Sequence, residues 1–140
     1  MRREPYLHLT LTSGPRATAE LREAVEAFCG RHGLGDEDCF DLKLAATEAL
    51  TNALKRTPEP HAVEVTLTGR DRTVEVEVLD RGVFSPLRAA LARGSEAEGG
   101  RGIALMLALV DDVSFERTPT GTRVRLRKHR RSARVLRLAG

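Results

Sequence analysis

This 140-residue sequence has no apolar run long enough to cross a bilayer. The longest, Ile103 to Val110, falls far short of the roughly 20 residues that a helical span requires. Nor does a run of signal-peptide length follow Met1-Arg2-Arg3-Glu4-Pro5, so the expectation is a cytoplasmic protein with no membrane partner. Cysteine is scarce: Cys29 and Cys39 lie on segments that read as different helices. Neither belongs to a CxxC pair, and they read as buried thiols. His8, His32, His61 and His129 are dispersed, so their order supplies no zinc cluster and no nucleophile–base pair. Neither sign of charge dominates, since 23 Lys and Arg face 20 Asp and Glu. The one single-sign block runs from Lys128 to Arg137, and no aromatic interleaves it to stack on bases. It therefore reads as a solvated basic tail and predicts no direct nucleic-acid contact.

What is present suffices for one core. At 41% hydrophobic and 31% charged, a chain of this length folds as one domain, placed at residues 1–128. Residues 129–140 are left as the tail or, through Val135, Leu136 and Leu138, an extra strand. Leu7, Leu9 and Leu11 alternate with polar residues as a half-buried strand does. From Pro15 to about His32, Leu21, Val25 and Phe28 recur at helical spacing, with Gly33 past the end. Asp36 is placed to cap a second helix that continues to Arg56, ahead of Pro58.

Val63, Val65 and Leu67, then Val74, Val76 and Val78, predict a hairpin about Gly69-Arg70-Asp71-Arg72. Val113 to Glu116 should pair with the strand of Val124 and Leu126 across Thr118-Pro119-Thr120-Gly121. Strands with one wet face imply a mixed, mostly antiparallel sheet with helices on its other face, a two-layer α/β sandwich. Arg93 to Gly99 reads as a mobile loop.

Four segments carry candidate chemistry. On the second helix, Glu48, Asn52 and Lys55 share a stripe apart from the apolar face of Leu42, Ala46, Ala49 and Ala53. A carboxylate, an amide and an ammonium together suit a Mg²⁺-nucleotide, although alone they also suit a solvated helix face. Asp80-Arg81-Gly82 follows directly on a strand. There an Asp can accept from an adenine amine and a glycine admits a flat base, although the tripeptide is also a common turn. Gly99-Gly100-Arg101-Gly102 opens a helical pattern of Ile103, Leu105, Met106, Leu109 and Val110. Such a helix start offers unpaired N–H groups to phosphate, and Arg101 can add a charged fork; a linker is the plain alternative. Finally, Gly121-Thr122 begins the last strand, bringing a hydroxyl to the end of the strand that bears Asp80.

Taken in order, these segments resemble the nucleotide-binding boxes of the GHKL ATPase superfamily. Thr47-Glu48-Ala49-Leu50-Thr51-Asn52-Ala53 resembles the N box, Asp80-Arg81-Gly82 the G1 box, Gly100-Arg101-Gly102-Ile103 the G2 box and Gly121-Thr122-Arg123-Val124 the final Gly-Thr box. The short length and strand-first start look most like the RsbW/SpoIIAB-type anti-sigma factor serine kinases. That resemblance implies a Bergerat-type fold, ATP and Mg²⁺ as cofactors, and a homodimer. It also implies that the protein sequesters a sigma factor and phosphorylates a serine on an anti-anti-sigma protein.

By position, Glu48 would be the general base, Asn52 the Mg²⁺ ligand, Asp80 the adenine acceptor and Thr122 its helper. Gly82, Gly100 and Gly102 would shape the pocket, with Lys55 and Arg101 toward phosphate. Two departures stand out. Phe84 replaces the second glycine of a D-x-G-x-G pattern, and where many anti-sigma kinases carry a His shortly after the N box, Asn52-Ala53-Leu54-Lys55-Arg56-Thr57-Pro58 looks more like the corresponding segment of histidine kinases. The alternatives are a non-catalytic nucleotide-gated binding module and a stand-alone histidine-kinase-like ATPase domain.

Overall fold

A computed structural model of the chain describes residues 6–57, 62–81 and 98–131, with the side chains of 98–101 left aside. Strand β1 (Tyr6–Thr12) leads into helices α1 (Pro15–Arg31) and α2 (Asp36–Arg56). The hairpin β2 (Ala62–Arg70) and β3 (Thr73–Asp80) follows, then helix α3 (Glu98–Leu109) and the hairpin β4 (Asp112–Arg117) and β5 (Thr122–His129). The sheet order is β1-β2-β3-β5-β4, and every described pairing is antiparallel.

Period-two patterning sets the register. Val63, Val65 and Leu67 on β2, Val74, Val76 and Val78 on β3, and Val124 and Leu126 on β5 all turn their side chains into the core beneath the helices. The opposite face is wet and carries opposite charges across β3 and β5. Glu75 is paired with Arg127 and Glu77 with Arg125 in the register, and both pairs are ionic at 3.1–3.2 Å. Cross-strand pairs of this kind each add a few tenths to about 1 kcal/mol. The expected hairpin turn is tightened to Asp71-Arg72, with Asp71 at a φ of 55°, a left-handed conformation that Asp tolerates. Gly69 instead lies within β2, where a Cβ would overlap the His32 ring.

Helix α1 ends in a Schellman turn. Gly33 takes a φ of 76°, and the Leu34 N–H donates to the Cys29 carbonyl at 3.0 Å, satisfying a carbonyl the helix leaves over. Helix α2 is capped by Gly35 rather than Asp36, which is its first helical residue. The Gly35 carbonyl accepts the Cys39 N–H at 2.9 Å, and Asp36, Glu37 and Asp38 all fall in the first turn, where their charge favours the positive end of the helix dipole. Leu42, Ala46, Ala49 and Ala53 are fully buried as the spacing predicts. Cys29 and Cys39 are buried free thiols that meet across the α1–α2 contact. Burial pushes the Cys29 thiol well above its usual range, with the Cys39 hydrogen bond adding to the effect.

Three expectations shift. Helix α3 starts at Glu98, so Gly99 belongs to its first turn, and only residues 93–97 of the expected loop lie outside the described residues. Leu105 faces outward with Leu107, while Met106 and Val110 enter the core. Lys128 is buried rather than solvated: β5 alternates strictly, which puts its side chain on the core face beyond Leu126. Its Nζ donates to the Leu109 carbonyl at 2.7 Å and pairs with Asp41 at 3.5 Å. Arg131 closes over the same helix start, its backbone N–H donating to Asp38 Oδ2 at 2.9 Å. Its guanidinium lies against Asp38 Oδ1, as an ion pair rather than an aligned hydrogen bond. No helix among the described residues is long and apolar enough to cross a membrane.

Candidate functional site

Helix α2 runs over the sheet and carries the first candidate residues. Its buried small residues, Ala45, Ala46, Ala49 and Ala53, let the helix lie close on β3 and β5. The face that turns away from this contact toward α3 presents Glu48 and Asn52, one helical turn apart. Asn52 is buried and Glu48 half-buried. Both meet Gly102 on α3: a Cβ there would lie 2.6 Å from Asn52 Nδ2 and 2.6 Å from Glu48 Oε2. Glycine is what allows the second and third helices to meet at these two polar groups. Gly100 stands in the first turn of α3, where the N–H groups have no intrahelical carbonyl partner.

The sheet supplies the second cluster. Asp80 ends the core-facing row Val74-Val76-Val78, and Thr122 begins the row that continues into Val124 and Leu126. The two are directly opposite in the β3–β5 register, and both are buried. Gly121 beside them has no room for a side chain, because a Cβ would overlap the carbonyl oxygen of Asp80 and lie 2.6 Å from Arg81 Cα. The two strands therefore close tightly just where a hydroxyl and a carboxylate stand together.

One residue of this cluster was not among the sequence candidates. Arg56, the last residue of α2, donates from Nη2 to Asp80 Oδ2 at 2.7 Å. The Arg56 side chain is 16% exposed and that of Asp80 0%. The signal was available, because Arg56 is one turn past Asn52 and two past Glu48, on the same helical face. Lys55, the ammonium chosen from the spacing, is exposed on that last turn. The ion pair thus joins the polar face of α2 to the end of β3. Gly82 and Phe84 lie outside the described residues, as does the side chain of Arg101.

Beside Glu48 an open cleft of about 400 Å³ separates the helices, lined by Phe40, Leu44 and Leu105 with Arg22 and Lys43. Phe40 is 54% exposed, a large apolar surface next to a carboxylate. The Lys43 ammonium is paired with Glu26 at 2.6 Å. That carboxylate hydrogen bond and charge raise the Lys43 pKa and lower that of Glu26.

Comparison with known proteins places the chain in a family. Residues 11–128 match the family model of the histidine kinase-like ATPase domain. The chain is 29% identical over 119 residues to the anti-sigma F factor of Caldanaerobacter subterraneus, covering 77% of this chain and 82% of that protein. It is 26% identical over 143 aligned positions to the serine-protein kinase RsbW of Bacillus velezensis, covering 93% of this chain and 89% of that one. Among solved structures, a Mycobacterium tuberculosis protein with RsbU and RsbW domains superposes with a TM-score of 0.67 at 22% identity. That match covers 89% of this chain and 32% of the longer one, and it is a likeness of fold. Because the family model matches from the end of β1 to the end of β5, this chain belongs to the family of histidine kinase-like ATPase domains.

Proposed function

We propose that this domain is an ATP-dependent protein-serine kinase that also sequesters a sigma factor, its phosphoryl acceptor being a serine of a STAS-type anti-anti-sigma protein. The observation that carries the reading is the approach of Gly102 to both Glu48 and Asn52. It joins a carboxylate, an amide and a glycine-rich helix start, which are the groups a Mg²⁺-triphosphate and its acceptor require.

Asp80 accepts from the adenine amine, with the Thr122 hydroxyl opposite it in the sheet. Asn52 offers its amide oxygen to Mg²⁺, and the donor set fits a hard cation that keeps several waters. When bound, that ion neutralises charge on the phosphates. The first-turn N–H groups of α3 at Gly100 would receive the phosphates, and by position in the family's motifs Arg101 and Lys55 would add charge there while Gly82 would admit the base. Glu48 holds the proton taken from the serine hydroxyl. Being half-buried, it is shielded on the Gly102 side and open on the cleft side.

The cleft favours a protein acceptor. Apolar Phe40, Leu44 and Leu105 with cationic Arg22 at the edge match a folded partner better than a small metabolite. The relatives named an anti-sigma factor and a serine-protein kinase support the kinase and anti-sigma parts of this reading; that the protein acts as a homodimer in the cytoplasm is part of the proposal. Replacing Glu48 by Gln tests the base. The variant should bind MgATP as the parent does and transfer phosphate to the cognate antagonist at least about a hundredfold more slowly. Equal transfer rates would remove Glu48 from that role. A pull-down in ATP against ADP tests the partners, since bound sigma factor and antagonist should exchange with the nucleotide.

A further inference from the structure

We propose that Arg56 is a latch on the nucleotide site. Its guanidinium holds the carboxylate that an adenine would use, so nucleotide affinity is set by how readily the Arg56–Asp80 pair opens. This rests on the reading of Asp80 as adenine acceptor.

Three observations carry it. The contact is a charge-assisted hydrogen bond of 2.7 Å, of a kind about twice as strong as a bond between neutral groups. A neutral adenine amine therefore competes at a disadvantage for the same oxygen. Second, the carboxylate shows no surface of its own, whereas the Arg56 side chain as a whole is 16% exposed, with Nε buried. A ligand arriving from solvent meets the arginine side chain before the acceptor. Third, the latch can open at the side chain alone. Arg56 is the last residue of α2, and the backbone behind it is pinned, because the Thr57 N–H and hydroxyl both donate to the Ala53 carbonyl, at 3.0 and 2.8 Å. The long, flexible arginine chain can swing from a fixed helix end, which leaves Asn52 and Glu48, one and two turns back, in place.

A site whose competent form is only a fraction of the molecules binds more weakly by that fraction. Weakening the latch should therefore tighten binding. Titration calorimetry with MgATP on the full chain should give Arg56→Gln a dissociation constant several-fold below the parent and Arg56→Ala one about tenfold below it. Arg56→Gln keeps a neutral donor near Asp80, so it serves if Arg56→Ala folds poorly. In the parent, the Arg56 Nε–H resonance should shift on saturation with ADP as the pair opens. Weaker or unchanged binding in both variants, or an unmoved resonance, would overturn the latch. Asp80→Asn separates the two readings: lost binding there with no tightening at Arg56 sinks the latch alone, whereas Asp80→Asn binding like the parent sinks the adenine reading and the latch with it.

Discussion

Gly102 separates the needs of the site from the needs of the fold. It lies inside a helix, where alanine is ordinarily better by about 0.5–1 kcal/mol. The atoms that a Cβ would meet belong to the Asn52 and Glu48 side chains, not to backbone, and the two nearest are their polar ends, so the helix can keep the methyl and the polar groups must yield. Gly102→Ala should leave the unfolding free energy unchanged or slightly higher and weaken MgATP binding by about tenfold or more. Urea denaturation and titration calorimetry on the same preparation would check both halves. Gly121 is the opposite case: its neighbour is the Asp80 backbone itself, and a side chain there would force apart β3 and β5.

At the scale of elements, α2 is tied to the sheet at both ends by buried charge. At its C-terminus Arg56 reaches Asp80. At its N-terminus Asp38 and Asp41 receive Lys128 and Arg131. Lys128 has a side chain 7% exposed and also satisfies the final carbonyl of α3 at Leu109. Its methylene stem continues the core row, so methionine would fill the space and remove only the charge. Lys128→Met leaves buried carboxylates short of a cation and should cost about 3 kcal/mol of stability. The shift in the urea midpoint at constant slope reads it. Because the far end of α2 carries Asn52 and Arg56, nucleotide affinity should fall less than stability.

For the whole molecule, the limit of the folded unit lies beyond the last strand. The His129 N–H donates to Asp111 at 2.7 Å, the Arg130 N–H to the Arg72 carbonyl at 2.9 Å and the Arg131 N–H to Asp38 at 2.9 Å. Two truncated chains compare these contacts directly. One ending after Arg131 should be more stable than one ending after Lys128 by about 2 kcal/mol, chiefly because the buried Asp38 keeps the Arg131 N–H as donor and its guanidinium as ion-pair partner. The exposed pair of Arg131 with Glu37 adds little. Thermal unfolding of the two chains measures the difference.

Most elements were legible from local pattern. Alternation in β2, β3 and β5 and three- to four-residue spacing in α1 and α2 depend on each segment's own geometry, and burial follows them closely. Two of the glycine-bearing segments were legible for a similar reason, since Gly102 and Gly121 each stand at a close approach. The ends and the partners were not. Capping at Gly35 instead of Asp36, burial of Lys128 and the outward turn of Leu105 depend on what stands opposite in space.

By itself, then, the sequence determined the elements and the two-layer architecture, because periodicity and glycine placement act over a few residues. The tertiary structure alone decided that Gly102 meets Glu48 and Asn52, that Thr122 stands opposite Asp80, and that Arg56 closes on that carboxylate. Those are contacts between residues far apart along the chain. Their geometry is fixed by how α2 lies across the antiparallel sheet, which no local pattern encodes.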